Sequence, residues 1–321
     1  MIRQSIENMF GRKAAAYGMS ALSLFPNLYP QRLQSYVAPR HKVAQETWAF
    51  CGVHPDDPLA RRAARSLGQI GIDATMGPCI LPDATYSPAE PGRRYVDPET
   101  YLRLTVINAQ EGGMKTVVYD KRLWSDDATV RQAAIDFWAP HVAWVRAFDM
   151  GDEFDPSGPD WQILVKRWQI MKEYIVPKLG VEPYTNNLGS LAILRQSIQD
   201  LPGQAIVSFD AYGENDRHEL ADSVYISSEL ADETRTVMCA TNTTPHSGYT
   251  PKPWTVSRQM HQHAMYGECD MQLLFGGVQP YGRDSTTHDD RFGISLIGPT
   301  GYPTSIGRAV LYGAVNFPPA S

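Results

Sequence analysis

From Thr47 onward, short runs rich in β-branched and aromatic residues alternate with longer stretches in which apolar residues recur at helical spacing. That alternation is the pattern of parallel βα units. Eight runs read as strands: Trp48–Val53, Ile72–Met76, Lys115–Tyr119, the apolar run that opens at Val142, Val181–Tyr184, Ala205–Phe209, Thr236–Ala240 and Met271–Phe275. Between them, helices are expected from Asp56-Asp57-Pro58, over Asp97–Gln110, Ser125–Trp138, Pro159–Lys178, Arg217–Leu230 and Thr255–Tyr266, with a last one over Ser305–Ala314. Asp, Ser and Pro at their starts and Gly112-Gly113 and Gly180 at their ends are the usual helix punctuation.

Eight units in about 270 residues match the size of one TIM barrel, so the expected fold is α/β, a single (β/α)8 barrel over 46–321 with an N-terminal extension over 1–45. A doubly wound open sheet would place a Gly-rich phosphate loop after its first strand, where this chain reads His54-Pro55-Asp56-Asp57.

Composition narrows the function classes. The chain has 321 residues, 43% of them hydrophobic, enough for one large core. A net charge of −6 and dispersed Lys and Arg exclude a nucleic-acid footprint. No apolar run reaches the roughly 20 residues of a membrane span. Cys51, Cys79, Cys239 and Cys269 are widely spaced, without metal-site spacing, and read as buried free thiols. His261 and His263, two apart in a helical stretch, do not share a face, so neither a metal nor another cofactor is expected.

Residues 1–45 differ from the rest. Arg3, Arg12, Lys13, Arg32, Arg40 and Lys42 face Glu7 alone. Tyr17, Ser20 and Ser23 dilute the uncharged stretch, and no small-x-small cleavage site follows, so this is not a convincing secretory signal. The segment reads instead as an arm, with a short helix around Ile6–Leu24, that packs on the barrel or docks a protein partner or a second copy. On this reading the protein is cytoplasmic or is delivered within an assembly such as a virion.

The strand ends carry the candidate chemistry. In a (β/α)8 barrel the loops after the strands share one face. The fourth run stops in Asp149, Asp152, Glu153 and Asp155, and the sixth ends in Asp210 and Tyr212. If Ala143, Val145 and Ala147 point into the barrel, Asp149 ends that inward row, although Arg146 is awkward on an outward face and would suit the reverse phase. Ile206, Ser208, Asp210 and Tyr212 share one phase of the sixth run. Two carboxyl groups a few ångströms apart across a barrel mouth suffice for glycosidic cleavage, one protonating the leaving oxygen while the other attacks or activates water. Glu153, Asp149, Asp210 and Asp152 are therefore the catalytic candidates. His54, Asp120, Trp124, Asn186, Tyr212, Asn242, Trp254, Gln279 and Tyr281, at or just past other strand ends, are the candidates for substrate binding. Among them the aromatic side chains suit stacking on a sugar ring.

In architecture and carboxylate placement, from Thr47 to Val315, the chain resembles the (β/α)8-barrel glycoside hydrolases. It departs from the retaining clan that has Asn-Glu after strand four and a second Glu after strand seven, since it reads Asp152-Glu153 and Cys239-Ala240-Thr241-Asn242 there. What the resemblance implies is hydrolysis of a polysaccharide or oligosaccharide, with Glu153 as acid/base and Asp149 or Asp210 as its partner. The competing expectation is a carbohydrate-binding or structural barrel without turnover, part of a phage tail or cell-surface complex.

Overall fold

The computed structural model describes residues 46–51, 58–76, 98–151, 154–210, 217–231, 236–242, 252–253, 255–256, 259–260, 269–278, 296–297 and 302–316. The basic arm over 1–45 lies outside them. The elements run β1 (Glu46–Cys51), α1 (Pro58–Gln69), β2 (Ala74–Met76), α2 (Pro98–Glu111), β3 (Lys115–Val118), α3 (Ala128–Trp138), β4 (Val145–Asp149) and α4 (Asp160–Ile170). They continue with α5 (Val176–Leu179), β5 (Pro183–Tyr184), β6 (Asn186–Asn187), α6 (Leu191–Asp200), β7 (Ile206–Asp210), α7 (Arg217–Ala231), β8 (Thr236–Asn242), β9 (Met271–Val278) and α8 (Ser305–Asn316).

All pairings are parallel, in the order β5-β4-β3-β2-β1-β9-β8-β7-β6. The two ends of that order are one stretch of chain. β5 pairs with β4, β6 pairs with β7, and only Thr185 separates β5 from β6. One interrupted strand thus joins both edges, and the sheet is the expected α/β TIM barrel.

The barrel interior is a cluster drawn from its strands: Trp48, Ala74, Met76, Val117, Ala147, Tyr184, Ile206, Met238, Met271 and Leu273. Large Trp48 sits among small Ala74 and Ala147, the interleaving a tapered interior requires. A second layer, between strands and helices, is built around Trp138, Trp161, Trp168 and Phe148. α1 and α2 approach closely because Gly68 has no side chain: a Cβ there would fall on the carbonyl oxygen of Gly112.

β4 differs from its expected form in two ways. Val142, Ala143 and Trp144 belong to a 3-10 turn over Ala139–Trp144 with Pro140 near its start, so the strand begins at Val145 and Ala143 is exposed rather than inward. The register against β3 also slips, from Thr116↔Val145 to Val117↔Ala147. The extra residue of this bulge is Arg146. Val145 and Phe148 pack in the outer layer, whereas Ala147 and Arg146 both lie on the inner side. There the Arg146 guanidinium stacks 5.4 Å from the Trp48 ring and bonds Glu46 at 2.6 and 2.9 Å. The choice between two strand phases is therefore resolved by both: the phase changes at Arg146, and Asp149 still ends the inward row.

Pro177 near the start of α5 has no N–H to donate, and its ring crowds the preceding turn. The helix widens into a π turn over Met171–Ile175 just before it and ends at Gly180, φ +66°. Helix α6 was not expected from the sequence. Cys269 corrects the free-thiol reading: it is buried and disulfide-bonded, with its partner side chain outside the described residues. Among the described residues no helix is long and apolar enough to cross a membrane.

Candidate active site

Asp149 closes β4 on the inner phase and is only 7% exposed. Its Oδ1 accepts from the backbone N–H of Gly151 at 2.9 Å. Gly151 adopts φ +124°, and a Cβ there would meet the Phe154 ring at 2.8 Å, so the turn requires glycine twice over. The turned carbonyl of Gly151 accepts from Thr185 Oγ1 at 3.1 Å, the residue at which β5 passes into β6. The end of β4 is thereby fastened to the interrupted strand beside it.

Beyond that strand lies Asp210, half-buried at the end of β7. Inside the barrel a file of side chains leads to it. Tyr184 Oη donates to Ser208 Oγ at 2.9 Å, Ser208 Oγ donates to Asn186 Oδ1 at 2.6 Å, and Asn186 Nδ2 donates to Asp210 Oδ1 at 2.8 Å. Tyr184, Ser208 and Asn186 are buried, and the Tyr184 ring is held edge-on to Trp48 at 5.1 Å. Gly189, just past β6, packs on the same place: a Cβ there would fall on the Asp210 carbonyl oxygen. Asp149 and Asp210 thus lie on either side of one strand, Asp149 level with Tyr184 and Asp210 one position past the Asn187↔Phe209 pair.

Asp120 and Trp124 lie in the layer between strands and helices. Asp120 shares the outer phase of β3 with Val118 and points into the layer that holds Trp138. Its carboxylate accepts from Trp138 Nε1 at 2.9 Å, from the Arg122 backbone N–H at 3.1 Å, and from Arg122 Nε and Nη2 at 3.0 and 2.8 Å. It caps the 3-10 turn Lys121–Trp124. Trp124 is buried in the same outer layer, edge-on to Tyr119 at 5.2 Å. It borders a cavity of about 480 Å³ on the helical ring, together with Lys121, Arg122, Lys166 and Arg167. Asp155, the last acid of the run after β4, accepts from the Ser157 backbone N–H and hydroxyl, both at 2.8 Å, and these bonds hold its carboxyl below the usual carboxylate range.

Of the remaining candidates, Asp152, Glu153, His54, Tyr212, Trp254, Gln279 and Tyr281 lie outside the described residues, and Asn242 is placed only as the last backbone position of β8. Tyr184, Ser208, Thr185 and Gly151 were not singled out as site residues. The two-residue phase that aligns Ser208 with Asp210, applied to Asn186, would have reached Tyr184.

No family model and no curated protein sequence matches the chain. Solved structures do. The endo-β-1,4-mannanase from Thermotoga petrophila matches with a TM-score of 0.57 at 12% identity, over 86% of this chain and 77% of that one. The catalytic domain of the β-amylase from Paenibacillus polymyxa matches with 0.55 at 8%, over 85% and 98%. Xylanase 10B from Thermotoga maritima matches with 0.54 at 12%, over 86% and 96%. These structural neighbours are glycoside hydrolases, and what the chain shares with them is the TIM-barrel fold.

Proposed function

We propose that this chain is a glycoside hydrolase that cleaves a polysaccharide or oligosaccharide at the C-terminal face of its barrel. The observation that carries the reading is the placement of Asp149 and Asp210 on the inner phase at the ends of β4 and β7, on either side of one polar strand. A general acid and a base or nucleophile must approach a glycosidic bond from two sides, and carboxyl separations of about 5 to 10 Å serve the two known stereochemical outcomes. Glu153, two residues past Gly151 in sequence, is the acid candidate, and Asp149 or Asp210 is its partner. Fold likeness to mannanase, amylase and xylanase supports the substrate class without choosing a sugar.

The test is release of reducing sugar from a panel of bacterial cell-wall and plant polysaccharides by the wild-type protein and by Glu153→Gln, Asp149→Asn and Asp210→Asn. A loss of at least ~100-fold in two of the three, with folding intact, has the weight expected of acid/base residues. Saturable binding of a polysaccharide without release from any would replace the hydrolase with a carbohydrate-binding barrel.

A further inference from the structure

We infer that Asp210 is the ionised member of the catalytic pair, acting as its general base, and that Asn186, Ser208 and Tyr184 form a one-way hydrogen-bond relay that positions it. The relay itself stands on geometry, and its kinetic consequence rests on the hydrolase reading.

The direction of the relay is set at the Asn186 amide, whose nitrogen faces Asp210 and can only donate. Tyr184 Oη donates to Ser208 Oγ, which leaves the Ser208 proton for its other neighbour, Asn186 Oδ1, 2.6 Å away. That bond fixes the amide so that Nδ2 faces Asp210 Oδ1 at 2.8 Å. Turned over, the amide would set its oxygen against a carboxylate oxygen of Asp210, two acceptors with no proton between them. An amide nitrogen cannot accept, so Asp210 meets it as acceptor, and a bond donated to a carboxylate is stronger than one to a neutral carboxyl. Asn186 is 4% exposed and Ser208 fully buried, so water does not substitute for either partner.

Asp149, across the interrupted strand, accepts from the backbone N–H of Gly151. The titratable groups on the inner side of the neighbouring strands, among the described residues, are Tyr184 on β5 and Asp149 and Arg146 on β4, and Arg146 is paired with Glu46 beside Trp48. On the other side β8 sets Ala240 opposite Asp210.

In the step this assigns, Asp210 takes a proton from water while that water's oxygen bonds the anomeric carbon. The glycosidic C–O bond breaks, and the leaving oxygen takes the proton of the partner carboxylic acid.

The relay can be read without a substrate. In carboxyl-13C NMR titrations of protein labelled at aspartate, the Asp210 resonance is the one lost in Asp210→Asn. Its midpoint is expected to rise by about one pH unit in Asn186→Leu, less in Ser208→Ala and least in Tyr184→Phe. The acid limb of kcat/KM should move the same way, with KM little changed. Ser208→Ala, which only removes an oxygen, serves if Asn186→Leu fails to fold. An unmoved midpoint in a folded relay variant overturns the inference even if sugar is released. A moved midpoint with no release from any polysaccharide keeps the relay and removes the hydrolase reading.

Discussion

Asp120 and Asp210 are both aspartates at the end of a barrel strand, and they differ by which side of the sheet they occupy. Asp120 follows β3 on the outer phase and spends its carboxylate on Arg122 and the Trp138 indole, four donors within the protein. Asp210 ends β7 on the inner phase, half-buried, oriented by Asn186 at the mouth. A strand-end acid is therefore two different things in this fold. On the outer phase it ties a turn to the helix layer, and on the inner phase it is presented to whatever enters the barrel.

Substituting each in turn gives the largest expected effects, and of opposite kinds. Asp210→Asn is expected to reduce sugar release by at least ~100-fold while leaving the thermal midpoint nearly unchanged, because the amide keeps the shape of the carboxylate. Asp120→Ala removes a buried acceptor and leaves the Arg122 guanidinium and the Trp138 N–H without it. That should cost about 3 kcal/mol, a fall of roughly 5 °C in thermal midpoint, with activity per folded molecule retained. Paired calorimetry and rate measurements check both. If Asp120→Ala abolishes turnover in a folded protein, the distinction by phase fails.

How much of this was legible in the sequence depends on the same phases. In β7 the polar residue Ser208 lies between buried Val207 and Phe209, so the inward row through Ile206, Ser208 and Asp210 could be read off. In β3, Thr116, Val117 and Val118 are all buried, as they must be in a strand covered on both sides, and no alternation remains to show where Asp120 points. The bulge at Arg146 was visible only as an awkward cation, because a register slip is a property of two strands and not of one. The eight-unit repeat was legible because each unit repeats a local pattern. The break at Thr185 was not, since it exists to let one strand bond β4 with its first half and β7 with its second. Helix α6 did carry signals that were passed over: Ser190 at its N-cap, then Leu191, Leu194 and Ile198 at helical spacing.

The opposite end of the barrel extends the comparison. There an ion pair, Glu46 with Arg146, lies over Trp48, each charged side chain less than a third exposed. Arg146→Ala removes both the pair and the stacking, and should cost about 2 kcal/mol in urea unfolding. Turnover per folded molecule is expected to be unchanged, since Asp149 and Asp210 sit at the other ends of their strands. A matching loss of kcat would mean that the bulge at Arg146 sets the position of Asp149.

The smallest effect comes from Asp73, which precedes β2 and accepts from the Thr47 backbone N–H at 2.8 Å. Burial raises its pKa above the ordinary 3.8, the Thr47 bond opposes that rise, and the nearby charge of Glu46 adds to it. The native state therefore holds this proton more tightly than the unfolded chain does. The stability it contributes is complete below pH 3.8 and is lost as pH rises through the native value. Asp73→Asn keeps an oxygen for Thr47 but never ionises. It should match the wild type in urea midpoint at pH 3 and exceed it slightly at pH 7, with other titrating groups common to both proteins and so cancelling. Because Glu46 contributes to the raised pKa, the advantage at pH 7 should shrink in a Glu46→Gln background. If Asp73→Asn is instead the weaker protein at pH 7, the Thr47 bond to a full negative charge outweighs the cost of burying it, and this end of the barrel, like the mouth, holds an aspartate whose ionised form is the favoured one.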